Sequence, residues 1–239
     1  MPSTPRLRVG LYINDPKATT LRFLRCVQEW GFAFTSVWRD ELADLRPGAV
    51  DVLLLHGGWY GIDRTPGQNQ HPRQATPEHD RRAAAVRSFV AAGGGLVGVC
   101  AGAYNVVWLD LIPADISRSQ GVGPHALEVV DAAHPLTRGV IVRTEGRTDR
   151  QWQPVPVIRM NGPIFFPHRR ETMVFSYDWE QRLGAVLAAP YERGRAAAIS
   201  PHPERADGDL GDAIPATTLA PAALLLRNAL LWAAGREVE

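Results

Sequence analysis

The chain of 239 residues predicts a doubly wound α/β fold on a mainly parallel sheet with an antiparallel extension. Three observations carry this. Apolar runs of strand length alternate with segments of helical period through the first half, the order that builds a parallel sheet covered on both faces. One of those runs, Leu96-Val-Gly-Val99, ends on a cysteine and turns through glycines into another helical segment. The second half holds five short apolar stretches separated by polar turns, as expected of strands added antiparallel to an existing sheet.

Taken in order, residues 8–13 read as the first strand, Asn14-Asp-Pro16 as a turn, and residues 19–30 as a helix ended by Gly31. Within that helix the apolar positions 21, 24 and 27, and 23, 26 and 30, recur at helical spacing. Cys26 is therefore expected to be buried and structural. Residues 33–38 form a second strand and residues 50–55 a third, whose near-continuous apolar character implies burial on both faces. Thr76 as N-cap, Pro77 at the first helical position and Glu78 beside the positive end of the dipole start a helix that runs to residue 92 and stops at Gly93. The cysteine-bearing strand follows, and then a helix over residues 101–108. Later strands are expected at 126–130, 157–160, 172–177, 185–190 and 196–200. Pro221 opens a closing helix over 222–234, apolar nearly all round and so buried against the sheet. Residues 59–75 and 205–217 remain as long loops leaving strand ends, with the length of lids.

A chain of this length accommodates a single domain, residues 1–239. Lys and Arg total 26 against 25 Asp and Glu, a net charge of +1, so no global field directs the protein to nucleic acid or to an acidic membrane surface. The N-terminal residues lack the apolar run of an export signal, and no later segment approaches the about eighteen unbroken apolar residues of a membrane span. A cytoplasmic location with two reduced thiols, Cys26 and Cys100, is the expectation.

Cys100 sits in Gly98-Val-Cys-Ala-Gly102, where the glycines remove side chains that would crowd a sharp strand-to-helix turn. Such a turn presents the thiol at the mouth of the sheet, beside a helix N-terminus that favours thiolate. Later comes Ser200-Pro-His-Pro-Glu204. In an extended chain residues i and i+2 project on the same side, so Glu204 can hold one ring nitrogen of His202 while the other faces a thiol. An oxyanion formed on a substrate carbonyl needs backbone donors, and the amides of Ala101 and Gly58 are the candidates. Gly57 and Trp59 beside them, Tyr104 on the following helix, and Asn161 and Gly162 in Met160-Asn-Gly-Pro163 are the candidate substrate-binding residues, with Tyr60, Phe165 and Phe166 as further pocket walls. A cysteine after a buried strand also serves plain packing, but the flanking glycines and the later His-Pro-Glu are not needed for that. His56, His71, His79, His125, His134 and His168 form no ligand pattern, so neither a metal nor a cofactor is expected.

Gly98-Val-Cys-Ala-Gly102 and Pro201-His-Pro-Glu204 resemble the nucleophile elbow and His-x-Glu of class I glutamine amidotransferase-like domains. Cys-Ala-Gly-Ala-Tyr104, with the preceding Gly93-Gly94-Gly95 and the later Asn161-Gly162-Pro163, is most similar to the branch found at the N-terminus of eukaryotic biotin-protein ligases and as stand-alone bacterial proteins. The resemblance spans residues 8–234. It implies a flavodoxin-like fold, a triad of Cys100, His202 and Glu204, and oxyanion donors at Gly58 and Ala101. One departure stands out: Tyr104 occupies the place of the glutamine that lines the glutamine pocket in active glutaminases, which argues against glutamine itself as substrate. The implied function is a cysteine hydrolase or amidotransferase-like enzyme acting on an amide or related carbonyl of a small molecule. The alternative is a catalytically silent binding or regulatory module, which Tyr104 favours and the retained thiol, imidazole and carboxyl disfavour. A partner enzyme or a second copy of the chain are the macromolecular partners left open.

Overall fold

A computed structural model describes residues 6–13, 18–57, 77–118, 121–145, 151–205 and 216–238. The first-half elements are β1 (Arg8–Ile13), α1 (Ala18–Glu29), β2 (Ala33–Trp38), β3 (Val52–Leu55), α2 (Pro77–Ala91), β4 (Gly95–Val99) and α3 (Ala101–Trp108). The second half contributes β5 (Ala114–Arg118), β6 (Val122–Val129), β7 (Val155–Met160), β8 (Pro163–Pro167), β9 (Met173–Asp178), β10 (Leu183–Tyr191), β11 (Gly194–Ile199) and α4 (Ala216–Ala233). The predicted turn at residues 14–16, the Thr76 cap and the loop over 59–75 lie outside the described residues, as does most of the loop over 205–217.

Strand order in the sheet is β2-β1-β3-β4-β11-β10-β9-β6-β7, with β8 paired to both β10 and β5. The five strands β2, β1, β3, β4 and β11 are mutually parallel. From β10 outward every pairing is antiparallel. This is the mixed flavodoxin-like architecture expected from the sequence. Side chains alternate cleanly across the parallel strands: Val52, Leu54, Val97 and Val99 join one apolar cluster with Phe23, Val27, Leu226 and Leu230. Leu53, Leu55 and Leu96 join another with Val86, Phe89 and Val106. With α1 and α4 on one face and α2 and α3 on the other, both faces are covered, and the strands read as continuous apolar runs for that reason.

Three details differ from expectation. In α1 the buried positions are Phe23 and Val27, whereas Leu21 is exposed and Cys26 only partly buried, because one i, i+4 pair suffices to seat a helix on the sheet. Helix α4 begins at Ala216, with Pro221 inside it. The proline sits near the N-terminal end, and the turns beyond it, buried through Leu225, Leu226, Ala229 and Leu230, hold the helix. Strands β5 and β8 have no counterpart among the expected elements. The former is short and polar, and the latter has proline at each end, which an outer strand tolerates.

The junction of β3, β4 and α3 is packed backbone on backbone. A Cβ at Gly98 would collide with the Gly102 carbonyl, and one at Gly102 with the carbonyl oxygen of Leu55. Any side chain at Gly102 therefore pushes α3 off the sheet. Gly102→Ala is expected to lower the unfolding free energy by about 3 kcal/mol, a Tm drop of roughly 10 °C, in urea and thermal melts.

Candidate functional site

Three chain segments meet beyond the C-terminal ends of β3, β4 and β11, the edge where open α/β sheets bind ligands. At the first, β4 ends at Val99 and α3 starts at Ala101, so Cys100 must turn the chain within one residue. It does so with φ 51° and ψ −110°, a strained left-handed conformation for a non-glycine residue. Its amide donates to the Ile199 carbonyl at 2.8 Å, which ties the turn to β11. Ala101 opens α3, and amides of a first helical turn have no intrahelical acceptor.

The second segment leaves β11. His202 donates its backbone N–H to Ile158 of β7 at 2.8 Å, and its Nδ1 lies 2.6 Å from Oε1 of Glu204. The Glu204 side chain is fully buried, and Oε2 has no hydrogen-bond partner among the described residues. The third segment is the exit of β3. A methyl group on Gly57 would stand 2.7 Å from Cε1 of His202 and 3.2 Å from Cβ of Cys100, so ring and cysteine flank one point on the backbone. Glycine is required there by contact, not by turn geometry. His56 beside it is engaged on both ring nitrogens, Nδ1 at 2.6 Å from the Gly57 carbonyl oxygen and Nε2 at 3.2 Å from the Thr20 hydroxyl.

Cys100 is buried, at 8% exposure, and its Sγ donates to the Met160 carbonyl at 3.5 Å. Burial works against a charged His202, yet the negative charges of Glu204 and then Cys100, with hydrogen bonds to both, raise its pKa to about 10. The ring is thus held as an imidazolium at neutral pH. Behind it, Tyr177 donates to or accepts from Ser200 Oγ at 2.8 Å, and burial above all pushes its phenol well above the ordinary range, so it stays neutral.

Tyr104 lies on α3, its ring 5.2 Å from that of Trp108, close enough to Tyr177 to influence its ionisation. Asn161 adopts φ 57°; its Oδ1 accepts from the Gly121 amide and its own amide donates to the Gly121 carbonyl, both at 3.0 Å, closing the end of the β6–β7 pair. Gly162 is pressed against the Ser200 carbonyl, where no Cβ fits. Phe165 is fully buried in the core and Phe166 is exposed, so neither walls the cleft. Gly58, Trp59 and Tyr60 lie outside the described residues. Sequence reasoning misses the Met160 and Ile158 carbonyls, Ser200 and Tyr177, since only the packing of β7 and β9 beside β11 brings them here. Among the described residues no group of three or more His, Cys, Asp or Glu side chains is placed to hold a metal ion, and no helix is long and apolar enough to cross a membrane.

No family model matches the sequence, and no curated protein matches it. Solved structures do resemble it in fold. PurLQS from Thermotoga maritima superposes with a TM-score of 0.64 at 14% identity, over 95% of this chain and 99% of that one. A glutamine amidotransferase from the same organism gives a TM-score of 0.61 at 14% identity, over 97% and 99%. A GMP synthase subunit from Thermoplasma acidophilum gives 0.57 at 16% identity, over 95% and 94%. The chain shares the flavodoxin-like α/β fold of these structures along nearly its whole length.

The electrostatics of His202 set a pH signature. Its folded pKa lies above the ordinary 6.5, so the stabilisation it contributes is fully present below pH 6.5 and is lost as pH rises toward about 10. Ring carbon NMR shifts should report a protonated His202 at pH 8, where His125 and His134, both lowered chiefly by burial, are neutral. Glu204→Gln should move the His202 midpoint down, and urea melts of His202→Gln should lose the decline in stability between those pH limits.

Proposed function

We propose that the protein is a cysteine-dependent hydrolase or amidotransferase-like enzyme acting on the amide, or a related carbonyl, of a small molecule. The observation that carries this reading is the strained φ of Cys100, next to a His202–Glu204 pair at 2.6 Å, all at one sheet edge. Packing alone gives no reason for a left-handed cysteine, a buried carboxylate and an imidazolium to share a crevice.

In the proposed reaction Sγ of Cys100 attacks the substrate carbonyl carbon and the C–S bond forms, while the oxygen takes up negative charge facing the amides of Ala101 and Gly58. His202 passes its proton to the leaving nitrogen, the C–N bond breaks, and a thioester remains. Water, deprotonated by His202, then attacks the thioester, releasing the acid and restoring the thiol. Glu204 holds the ring and balances its charge throughout. Gly57, Trp59, Tyr104, Asn161 and Gly162 border the substrate, with Asn161 acting through the turn it closes. Tyr104 in place of a glutamine points to an amide other than that of free glutamine. The Gly93-Gly94-Gly95 and Asn161-Gly162-Pro163 motifs support membership of the branch typified by the N-terminal domain of biotin-protein ligases. We place the protein in the cytoplasm, as a single domain without metal or cofactor; a partner enzyme fits a fold neighbour that is itself one subunit of GMP synthase.

The test is chemical. Iodoacetamide at neutral pH should alkylate Cys100 faster than Cys26 even though Cys26 is the more exposed thiol, as mapped by mass spectrometry. Across a panel of primary amides and γ-glutamyl compounds, Cys100→Ala should lower turnover by at least roughly a thousandfold. Equal ligand binding by wild type and variant, with turnover by neither, would instead identify a silent binding module.

A further inference from the structure

We propose that Arg159 is a specificity determinant of this site, selecting substrates that carry a carboxylate near the scissile amide. The inference deepens the enzymatic reading above and rests on it. On β7 the residues Val155, Val157 and Arg159 share one face by strand alternation. The first two are buried in the core, at 2% and 0% exposure. The third position departs from this aliphatic series where the strand reaches the level of Cys100, whose Sγ meets the carbonyl of the next residue, Met160. A guanidinium there is not needed for packing.

The surroundings fit a ligand anion. The Arg159 guanidinium carbon lies 4.9 Å from the centre of the Tyr177 ring, a planar stacking that orients its donors, and Tyr177 in turn belongs to the apolar cluster containing Cys100. Tyr177 is influenced by the charges of both Arg159 and Cys100, which puts the cation within electrostatic reach of the thiol. Directly across the ladder from Arg159 stands Gly123, at φ 139°, where a Cβ would find nothing within 4 Å. Gly121, whose Cβ would lie 3.8 Å from the guanidinium carbon, flanks it as well. Two glycines therefore leave room beside the fork of donors. His125, its ring 5.0 Å from Tyr177 and its pKa lowered by burial and by Arg159, is neutral and adds a hydrogen-bonding group instead of a second charge. A planar cation with open flanks next to a neutral polar ring is the chemistry that binds a carboxylate bidentately.

Alkylation of Cys100 by two reagents of the same shape tests this without a known substrate. Iodoacetate carries the carboxylate and iodoacetamide does not, and the ratio of their rates cancels any change in thiolate population. In wild type the iodoacetate-to-iodoacetamide ratio at Cys100 should exceed that in Arg159→Gln by at least roughly fivefold, with Arg159→Lys between them. Circular dichroism and thermal melting check that the variants fold; should Arg159→Gln not fold, Arg159→Lys is read alone and must still lower the ratio. A reactive Cys100 whose ratio is the same in wild type and variant overturns the inference and leaves the enzymatic reading standing. A Cys100 that reacts no faster than Cys26 with either reagent overturns that reading, and the inference with it.

Discussion

Close approach of α3 to the edges of β3 and β4 governs the geometry of the whole site. Gly98 and Gly102 allow the helix backbone to touch the strands, with the Leu55 and Gly102 carbonyls filling the space where side chains would stand. The turn between strand and helix then has a single residue in which to reverse, and Cys100 takes a positive φ as the consequence. That strain is sustained because the elements on either side are fully buried: β4 on both faces, and Val106 of α3 beneath it. Core packing in this region is in effect what holds the sulfur at the sheet edge.

Charge organisation follows from burial. The Glu204 side chain is shielded from solvent and hydrogen-bonds the His202 ring, so a carboxylate there is tolerable only with a cation against it. Cys100 supplies a second site of negative charge on the other side of the ring. The imidazolium is stabilised between them, and Gly57 gives up a side chain to let the three come together. Electrostatic and steric requirements meet at the same glycine.

The antiparallel extension has a role beyond covering the sheet. Strand β7 reaches back to the parallel half, where Ile158 anchors the His202 backbone and Met160 receives the thiol proton. By alternation the same strand carries Arg159 beside Tyr177. The parallel strands thus bring the reacting groups, while the extension supplies the wall on which substrate choice would rest. This division explains how a fold shared with glutamine amidotransferase structures at 14–16% identity can carry a different pocket: wall residues change without disturbing the elbow.

Strands β1 to β4, helices α1 to α3 and the antiparallel character of the second half are legible in the letters, because apolar period and the placement of proline and glycine are local properties that need no partner to be read. The cysteine elbow and the i, i+2 spacing of His202 and Glu204 are local in the same sense. Strands β5 and β8 are not legible, since their pairing is with each other and with β10 and leaves no apolar pattern of their own. Cys26 has the spacing of a core residue, yet only the depth at which α1 sits decides which of its apolar positions are covered. The convergence of Gly57, Cys100 and His202, and the company of Met160, Ser200, Tyr177 and Arg159, arises from strand order. Sequence alone determined which short-range shapes the chain can take and which reactive groups it carries; tertiary structure alone decided which of those groups meet, because contacts between distant segments depend on sheet order and burial that no local pattern encodes.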